Sequence, residues 1–425
     1  MNTHTCSYYA DSIADMPDYP QLRESIECDV CVVGAGFSGL SSALHLSEKG
    51  YNVVVLEASK VGFGATGRNG GQIVNSYSRD VDVIESRYNK HTSSALCNMI
   101  FEGGDIIRDI IKRYNVECDF KAGAIFAALN GKQLKGLEEQ KANWERFGHN
   151  ELELMDAHQV AQATGSNSYV GAMLDMRGGH IHPLKLALGE ARAISSLGGR
   201  IFEQSKVTKL DKGKQPVVHT EFGQVKAKFV VMAGNAYLGG IEPKISNKAI
   251  PCGTQIVATE PLSEQQLETI LPSNYCVEDC NYLLDYFRLT ADKRLLFGGG
   301  VVYGARDPQN VEALIRPKME KVFPQLAGVK VDYAWTGNFL LTYSRMPQFG
   351  AYEDNFYYLQ GYSGHGVTCS HLAGKLLSEK LSGYSERFDA FASLKHYSFP
   401  GGRHFQIPLT ALGAAYYNLR DKLAV

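Results

Sequence analysis

Three glycines and one acid in the first sixty residues have the spacing of a dinucleotide-binding site. Gly34, Gly36 and Gly39 form a G-x-G-x-x-G pattern, and Glu57 follows eighteen residues after the last of them. The first glycine permits a tight turn, the second lets the backbone approach a pyrophosphate, and the third lets a helix pack closely. A helix N-terminus then offers N–H groups to the phosphates, and the acid can accept hydrogen bonds from a ribose. This pattern predicts a bound dinucleotide.

The residues around these glycines predict the βαβ unit that such a site requires. The apolar run at 29–33 is typical of a buried parallel strand, a helical pattern follows, and 52–56 predicts a second strand. The glycine spacing alone is not specific, because glycine-rich turns occur in many folds. The flanking strands and helix make the pattern specific for a dinucleotide site. Phe37, Ser38 and Ala58 are included among the predicted cofactor contacts.

A second glycine-rich block runs from Val61 to Gln72. It contains too much glycine for a packed helix or strand, so its backbone is expected to pack closely against another group. A flexible surface loop is the alternative interpretation, but the position directly after Glu57 favours a second cofactor contact. The predicted contacts in this block are Gly64, Ala65, Arg68, Asn69, Gly70, Gly71 and Gln72.

A similar arrangement recurs near the C-terminus. Residues 355–360 predict a strand, 361–366 a glycine-rich turn, and 367–381 an amphipathic helix. The N-terminus of that helix can face an electron-rich group. Another predicted strand, within 217–234, also ends at small residues. The cofactor contacts predicted from these parts of the chain are Val207, Ala233, Gly234, Gly361, Gly364, His365 and Gly366.

Composition limits the remaining possibilities. The chain has 425 residues and a formal net charge of −2, so at least two domains are expected and neither nucleic acid nor an anionic membrane is an expected partner. No apolar run has the length of a membrane span, and the polar N-terminus is unlike a secretion signal. Nine cysteines without a framework pattern favour a reducing compartment, so a cytoplasmic location is expected. His180 and His182 lack further ligands nearby, so no metal is predicted.

The rest of the chain predicts a second, different sheet. Long antiparallel strands are expected at 250–259 and within 282–300, with a hairpin turn at 290–293. Aromatic residues are frequent here, and a few of them are expected to line a cavity. Residues 1–27 are predicted to be an irregular lead-in, and 151–163 a polar surface helix.

These motifs together resemble the FAD-dependent amine and amino-acid oxidases of the D-amino-acid-oxidase type. The resemblance lies in the pattern from Val32 to Glu57, the block Gly62–Gln72, and Arg345-x-Pro347 followed by G-Y-S-G-H-G at 361–366. It implies an α/β fold with a Rossmann-like FAD-binding domain and a second, mixed or antiparallel-sheet substrate domain of α+β type. The first glycine motif would hold the FAD pyrophosphate, and the later blocks would lie along the flavin.

The resemblance also implies that each domain is built from separate segments of the chain. The FAD-binding domain would comprise 27–100, 175–240 and 345–383, the substrate domain 101–174 and 241–344, and a C-terminal tail 384–425.

The activity implied is oxidation of a small amine to an imine, which hydrolyses to an aldehyde and ammonia, while oxygen is reduced to hydrogen peroxide. A dehydrogenase of the same fold that passes electrons to a quinone or carrier protein is the alternative. An FAD-dependent RNA-modifying protein is disfavoured by the near-neutral charge, and a purely structural flavin by the aromatic sheet.

Six residues are candidates for the substrate side of the site. Tyr286, Trp335 and Tyr362 are predicted to form an apolar pocket that favours the uncharged amine, and His365 either neighbours the flavin or only fills its turn. A guanidinium suits a carboxylate, so Arg288 and Arg345 are candidates for a substrate carboxylate, with a structural ion pair as the alternative for each.

We predict that the purified protein is yellow and that its flavin leaves the chain on denaturation. Members of the family that resemble sarcosine oxidase can attach flavin to a cysteine upstream of the glycine turn, but no cysteine lies between Cys280 and Cys369 here. Acid precipitation followed by absorbance of pellet and supernatant measures this. Flavin absorbance that stays with the pellet would contradict non-covalent binding.

Overall fold

The computed structural model describes residues 4–303, 307–398, 411–413 and 416. The strands of these residues form two sheets. In chain order they are β1 Ser25–Val33, β2 Val53–Leu56, β3 Gln72–Ile73, β4 Lys121–Ala128, β5 Leu152–Asp156, β6 Gly171–His180, β7 Arg200–Phe202, β8 Lys209–Asp211, β9 Val217–His219, β10 Gln224–Met232, β11 Ala249–Thr259, β12 Cys276–Asp279, β13 Tyr286–Leu289, β14 Leu295–Tyr303, β15 Val331–Thr342, β16 Gln348–Glu353 and β17 Phe356–Gln360.

The helices lie between and outside the sheets. In chain order they are α1 Tyr8–Asp11, α2 Phe37–Glu48, α3 Val81–Arg87, α4 Lys90–Asn98, α5 Glu102–Arg113, α6 Gly131–Arg146, α7 Ala157–Thr164, α8 Pro183–Ser196, α9 Pro243–Ser246, α10 Glu264–Leu267, α11 Val311–Val322, α12 Gly366–Leu381 and α13 Glu386–Ala392. None of the helices in this described part is long and apolar enough to cross a membrane.

The first sheet has the order β16-β17-β10-β1-β2-β7, with β9 and β8 continuing from β10. Its central strands are parallel: β1 pairs with β10 and β2, β17 with β10, and β7 with β2. Val30 and Val32 enter the hydrophobic cluster under α2, α8 and α12, whereas Cys31 and Val33 enter the cluster on the opposite face. Burial on both faces explains the continuous apolar run of β1.

The second sheet has the order β15-β11-β14-β13-β12-β4-β6-β3, with β5 paired to β6. Its pairs are antiparallel except β12 with β4, which is parallel, so the sheet is mixed. One face packs on α11 through a cluster that includes Val277, Phe287 and Phe297. The α/β fold with a Rossmann-like domain and a second, mixed sheet is therefore confirmed.

Two predictions of local structure were wrong. The lead-in is not wholly irregular, because α1 buries Tyr9 completely and β1 already begins at Ser25. The helix predicted at 151–163 is β5 followed by α7. The edge of β6 pairs with β5, and Asp156 then caps α7 in a capping box with Gln159. Polar composition could not show that a sheet edge was available.

Strand membership differs from the predicted domain segments in two places. Strand β3 lies within 27–100 but belongs to the second sheet, and β6 crosses the expected boundary between 174 and 175. We propose the segment division with these two changes. The predicted tail 384–425 begins with α13, whose Phe388 and Phe391 are buried. Residues 399–410, 414–415 and 417–425 of that tail lie outside the described residues.

Candidate active site

A cavity of about 410 Å³ lies between the two sheets, at the carboxyl ends of β1, β2 and β10. This is where open parallel sheets bind their ligands. The cavity walls include most of the residues predicted from sequence, namely Gly34, Gly36, Phe37, Ser38, Glu57, Ala58, Gly64, Ala65, Arg68, Asn69, Gly70, Gln72, Val207, Ala233, Gly234, Tyr286, Arg345, Tyr362, Gly364, His365 and Gly366.

The first glycine motif forms the turn between β1 and α2. Gly34 has a φ of +108°, and a Cβ there would lie 3.0 Å from the Ala233 carbonyl oxygen. A Cβ on Gly36 would meet only the Thr66 hydroxyl, at 3.0 Å, so a longer side chain would extend into the cavity. The Thr66 hydroxyl also accepts the Phe37 N–H at 3.0 Å. The turn therefore presents bare backbone to the cavity, as a pyrophosphate requires.

Glu57 is held in place by that turn. One carboxylate oxygen accepts the Ala35 N–H and the other accepts the Ser59 N–H, each at 2.8 Å. Burial raises the pKa of Glu57, and these two N–H groups oppose the shift. Because Glu57 ends β2 and also lines the cavity, its position fits the ribose contact predicted for it.

The second glycine block is fastened by its own side chains. The Asn69 amide nitrogen donates to the carbonyl oxygens of Ala65 and Thr66, and its oxygen accepts the Gly71 N–H at 2.7 Å. Arg68 donates from Nε to the Phe63 carbonyl oxygen at 2.9 Å, and its guanidinium lies 4.6 Å from the Phe63 ring. The block is thus an ordered wall rather than a flexible loop.

The C-terminal glycine turn forms another part of the cavity wall. The Tyr362 and Ser38 hydroxyls are 2.5 Å apart, which joins this turn to the first glycine motif. Burial, with the Arg345 guanidinium as a second cause, lowers the pKa of His365 to about 4, so its ring is neutral at pH 7. Its Nδ1 has no hydrogen-bond partner among the described residues. Helix α12 begins at the end of this turn, and its N-terminus faces the cavity.

Three of the predicted cofactor glycines lie outside the cavity wall, where they serve packing and turns. A Cβ on Gly39 would overlap the Gly34 carbonyl oxygen, so this glycine brings α2 close to β1, as predicted. A Cβ on Gly71 would overlap the Ile181 carbonyl oxygen. Gly361 has a φ of +72° and turns the chain after β17.

Two of the predicted substrate residues also lie behind the wall. The Trp335 indole donates to the Arg68 carbonyl oxygen at 3.0 Å and packs against Tyr9, so it supports the second glycine block instead of forming the amine pocket. The Arg288 guanidinium, 3% exposed, donates to the carbonyl oxygens of Gly70 and Leu289 and to the Tyr9 hydroxyl. Its proposed contact with a substrate carboxylate does not fit this position.

The two histidines considered as metal ligands have separate roles. His180 Nε2 lies 3.1 Å from the Asn274 carbonyl oxygen. His182 is the N-cap residue of α8, and its Nε2 lies 3.0 Å from the Ser12 hydroxyl. Within the described residues no group of three His, Cys, Asp or Glu side chains could hold a metal ion.

Of the two arginines predicted to meet a carboxylate, Arg345 lines the cavity. It lies in the turn between β15 and β16 with a φ of +63°, a conformation that costs a non-glycine residue about 1–3 kcal/mol and is frequent at functional sites. Its half-buried guanidinium has no carboxylate partner in the part of the chain that the structure describes. An unpaired cation here is suited to an anionic ligand.

Sequence reasoning missed several wall residues, of which Thr66 and Glu278 matter most. Thr66 stands inside the glycine block, and its link to Phe37 shows only in three dimensions. Glu278 lies on β12 opposite Tyr286 and lines the cavity. Glu278 could have been found as an acidic residue in a short strand whose first residues are buried.

The walls fit FAD on three structural observations. The Gly36 position leaves a cradle that any Cβ-bearing side chain would begin to fill. Glu57 is fixed at the end of β2, where an adenosine ribose would lie. The wall formed by the second glycine block and the turn before α12 is available to the flavin ring.

We predict that Gly36→Val yields a folded protein without flavin. The φ of Gly36 is ordinary, so the fold tolerates valine, but the branched side chain takes the place of the pyrophosphate. The flavin absorbance per chain after gel filtration measures retention, and circular dichroism checks folding. Gly240→Val, where a Cβ meets nothing within 4 Å, is the matched control. Full retention in folded Gly36→Val would remove this site assignment.

Comparison with known proteins agrees with the geometry. The family model described as FAD dependent oxidoreductase matches residues 29–380. The chain is 62% identical to gamma-glutamylputrescine oxidoreductase of Escherichia coli over 100% of both chains, and 40% identical to a probable oxidoreductase of Haemophilus influenzae over 99% of this chain and 98% of that one.

Solved structures share the fold at lower identity. Glycine oxidase from Geobacillus kaustophilus superimposes with a TM-score of 0.70 at 18% identity, over 88% of this chain and 100% of that one. L-Proline dehydrogenase from P. horikoshii has a TM-score of 0.70 at 20% identity, over 87% and 99%. With a nucleotide cradle between a Rossmann-like sheet and a mixed sheet, and with relatives matched along its whole length, the chain belongs to the FAD-dependent oxidoreductase family.

Proposed function

We propose that this enzyme oxidises the primary amine of gamma-glutamylputrescine, or of a similar small amine, to an imine that hydrolyses to an aldehyde and ammonia. Oxygen is the proposed electron acceptor and hydrogen peroxide the second product, in a cytoplasmic route of putrescine breakdown. The observation that carries the proposal is the match to the relative named for this substrate, along the whole of both chains. All nine cysteines are free, which supports a reducing compartment.

The cavity supports an amine substrate that also carries a carboxylate. Arg345 faces the cavity without an anionic partner among the described residues, and a guanidinium binds a carboxylate through two parallel hydrogen bonds. The glutamyl part of gamma-glutamylputrescine has a free carboxylate, and its butylamine part has the amine to be oxidised. We propose that Arg345 binds the carboxylate, so that the amine lies beside the wall available to the flavin ring.

Tyr286 and Tyr362 are proposed to surround the amine. Tyr286 lies in a slot between two glycines: a Cβ on Gly70 would be 2.6 Å from its ring, and one on Gly298 would overlap it. Its hydroxyl is bound to the Thr254 hydroxyl at 2.9 Å, and the residue lines the cavity. Burial raises the pKa of both tyrosines, so both remain neutral.

The amine must lose a proton before its carbon can be oxidised, because the nitrogen lone pair assists departure of the hydride. A primary alkylamine has a pKa of about 10.4, so forming the neutral amine at pH 7.4 costs about 4 kcal/mol. Desolvation between tyrosine rings disfavours the charged form and supplies part of this. FAD held in this cavity would supply the hydride acceptor, and the chain itself binds, orients and desolvates the amine.

We predict that the FAD-loaded protein is bleached on anaerobic mixing with gamma-glutamylputrescine and forms about one hydrogen peroxide per aldehyde in air. Stopped-flow absorbance and a coupled peroxidase assay measure the two events. Bleaching without peroxide would replace the oxidase by a dehydrogenase that uses a quinone or carrier protein. An FAD-loaded protein that no amine of a small panel bleaches would overturn the proposed function.

We predict that Arg345→Gln lowers kcat/KM for gamma-glutamylputrescine by about 30- to 1000-fold, because a buried charge pair that loses one partner costs about 2–4 kcal/mol. Putrescine, which has no carboxylate, should lose less than about threefold with the same variant. Arg192→Gln, which changes an exposed arginine of α8, is the control. Equal losses for the two amines would exclude Arg345 as the carboxylate-binding residue.

A further inference from the structure

We propose that Glu278 binds the ammonium end of the substrate and accepts its proton, which leaves the neutral amine in position for oxidation. The proposal rests on the function proposed above and adds the group that removes the proton. It is carried by the position of Glu278 in the sheet, by its lack of a partner among the described residues, and by the opposite charge of Arg345 in the same cavity.

The strand geometry turns Glu278 toward the cavity. Side chains alternate between the two faces of a strand. Val277 and Phe287 pair across β12 and β13 and both enter the cluster under α11, on the outer face. Glu278 and Tyr286 are the adjacent pair, so they share the inner face, and both line the cavity.

The Glu278 carboxylate has no hydrogen-bond or ion-pair partner among the described residues. Every fully buried carboxylate of that part of the chain has one. These pairs are Asp175 with His149, Glu190 with His371, Glu203 with Lys60, Glu242 with Lys212, and Asp279 with the Asn281 N–H. The Tyr286 hydroxyl is already bound to Thr254. A partly buried acid in a cavity wall, left without a partner, is suited to a cationic ligand.

The surroundings of Glu278 favour proton exchange near neutral pH. Burial, followed by the Asp279 carboxylate, raises the pKa of Glu278 to about 8. A general base acts best when its pKa is near the working pH. The charged and titratable groups around it are Cys276 and Asp279 on its own strand, Cys280 directly after that strand, Tyr286 and Arg288 on β13, Tyr282 in the following loop, and Arg345 and His365 across the cavity.

An ammonium placed against this carboxylate changes both groups. The positive charge lowers the pKa of Glu278, so the ionised form binds the substrate. Desolvation beside Tyr286 lowers the pKa of the ammonium from about 10.4 toward that of the acid. One N–H bond of the ammonium then breaks, one O–H bond forms on the carboxylate, and the nitrogen keeps the electron pair. Charge is conserved, and the hydride then leaves the adjacent carbon as in the proposed function.

Arg345 and Glu278 together also define the orientation of the substrate. A molecule with a carboxylate at one end and an ammonium at the other satisfies both charges in one direction only. In the reverse direction the terminal ammonium meets the like charge of the Arg345 guanidinium, which costs several kcal/mol. A simple diamine leaves Arg345 without a partner. The pair therefore selects amines that carry a carboxylate at the far end.

The test is anaerobic flavin reduction by the FAD-loaded enzyme, with gamma-glutamylputrescine, across pH 6.5–10.5. Glu278→Gln should lower the second-order rate of reduction about 100-fold at pH 7.5, within the range for loss of a general base. At pH 10.5, where much of the free amine is already neutral, the loss should shrink to about fivefold or less. Glu268→Gln, an exposed acid of the same domain, should follow the wild type.

The outcomes separate this inference from the proposed function. A wild type that keeps its FAD but is reduced by no amine would overturn both. A wild type that is reduced, together with a Glu278→Gln variant within threefold of it, would overturn only the role of Glu278. A loss that is equal at every pH would likewise overturn the proton transfer, because a merely structural defect does not depend on the charge of the substrate.

A second measurement needs no variant and so covers the case in which Glu278→Gln fails to fold. Two inhibitors are compared on the wild type, the glutamyl amide with a terminal trimethylammonium and its neutral tert-butyl isostere. Above pH 8.5 the cation should bind at least tenfold more tightly, and this advantage should disappear toward pH 6 as Glu278 becomes protonated. Equal affinity at all pH values would overturn the proposal.

Discussion

The hydrogen bonds that Glu57 accepts from the Ala35 and Ser59 backbone are the contacts on which the rest of the site depends. They hold the end of β2 against the turn that leads into α2, so the backbone around Gly36 stays open toward the cavity. Thr66 extends this connection by accepting the Phe37 N–H, which places the second glycine block beside the first. The hydrogen bonds that shape the cofactor cradle are therefore made by groups of the chain itself.

The second sheet completes the cavity, because it supplies the groups that the Rossmann-like sheet lacks. Arg288 and Trp335 support the cavity wall from behind. Arg288 donates to the Gly70 carbonyl oxygen, and Trp335 donates to the Arg68 carbonyl oxygen. Their contacts fix the second glycine block from behind. Arg345 and Glu278 are left without protein partners in the described part of the chain, on the cavity side. The supporting side chains donate to backbone carbonyl oxygens, whereas Arg345 and Glu278 line the cavity.

Local sequence was sufficient for the cofactor half of the site. Gly34 has a positive φ and Gly39 packs on the Gly34 carbonyl oxygen, so both are glycine for reasons that act within a few residues, and Glu57 follows at the end of the next strand. The same holds for the hairpin turn at 290–293, where Lys293 donates its N–H to the Thr290 carbonyl oxygen. It fails for 151–163, because the strand in this segment forms by pairing with the edge of β6, and the segment's own composition does not record that partner.

The substrate half was decided by tertiary structure. The sequence determined that two arginines, several aromatic residues and a glycine turn were present, and the resemblance said that some of them meet the substrate. Only the packing of β12, β13 and the turn after β15 shows that Arg288 donates to carbonyl oxygens while Arg345 has no carboxylate partner among the described residues, and that Glu278 shares the cavity face with Tyr286. The physical reason is that the role of a charged side chain depends on which groups it pairs with. Those partners come from strands far apart in the chain, so no local pattern records them.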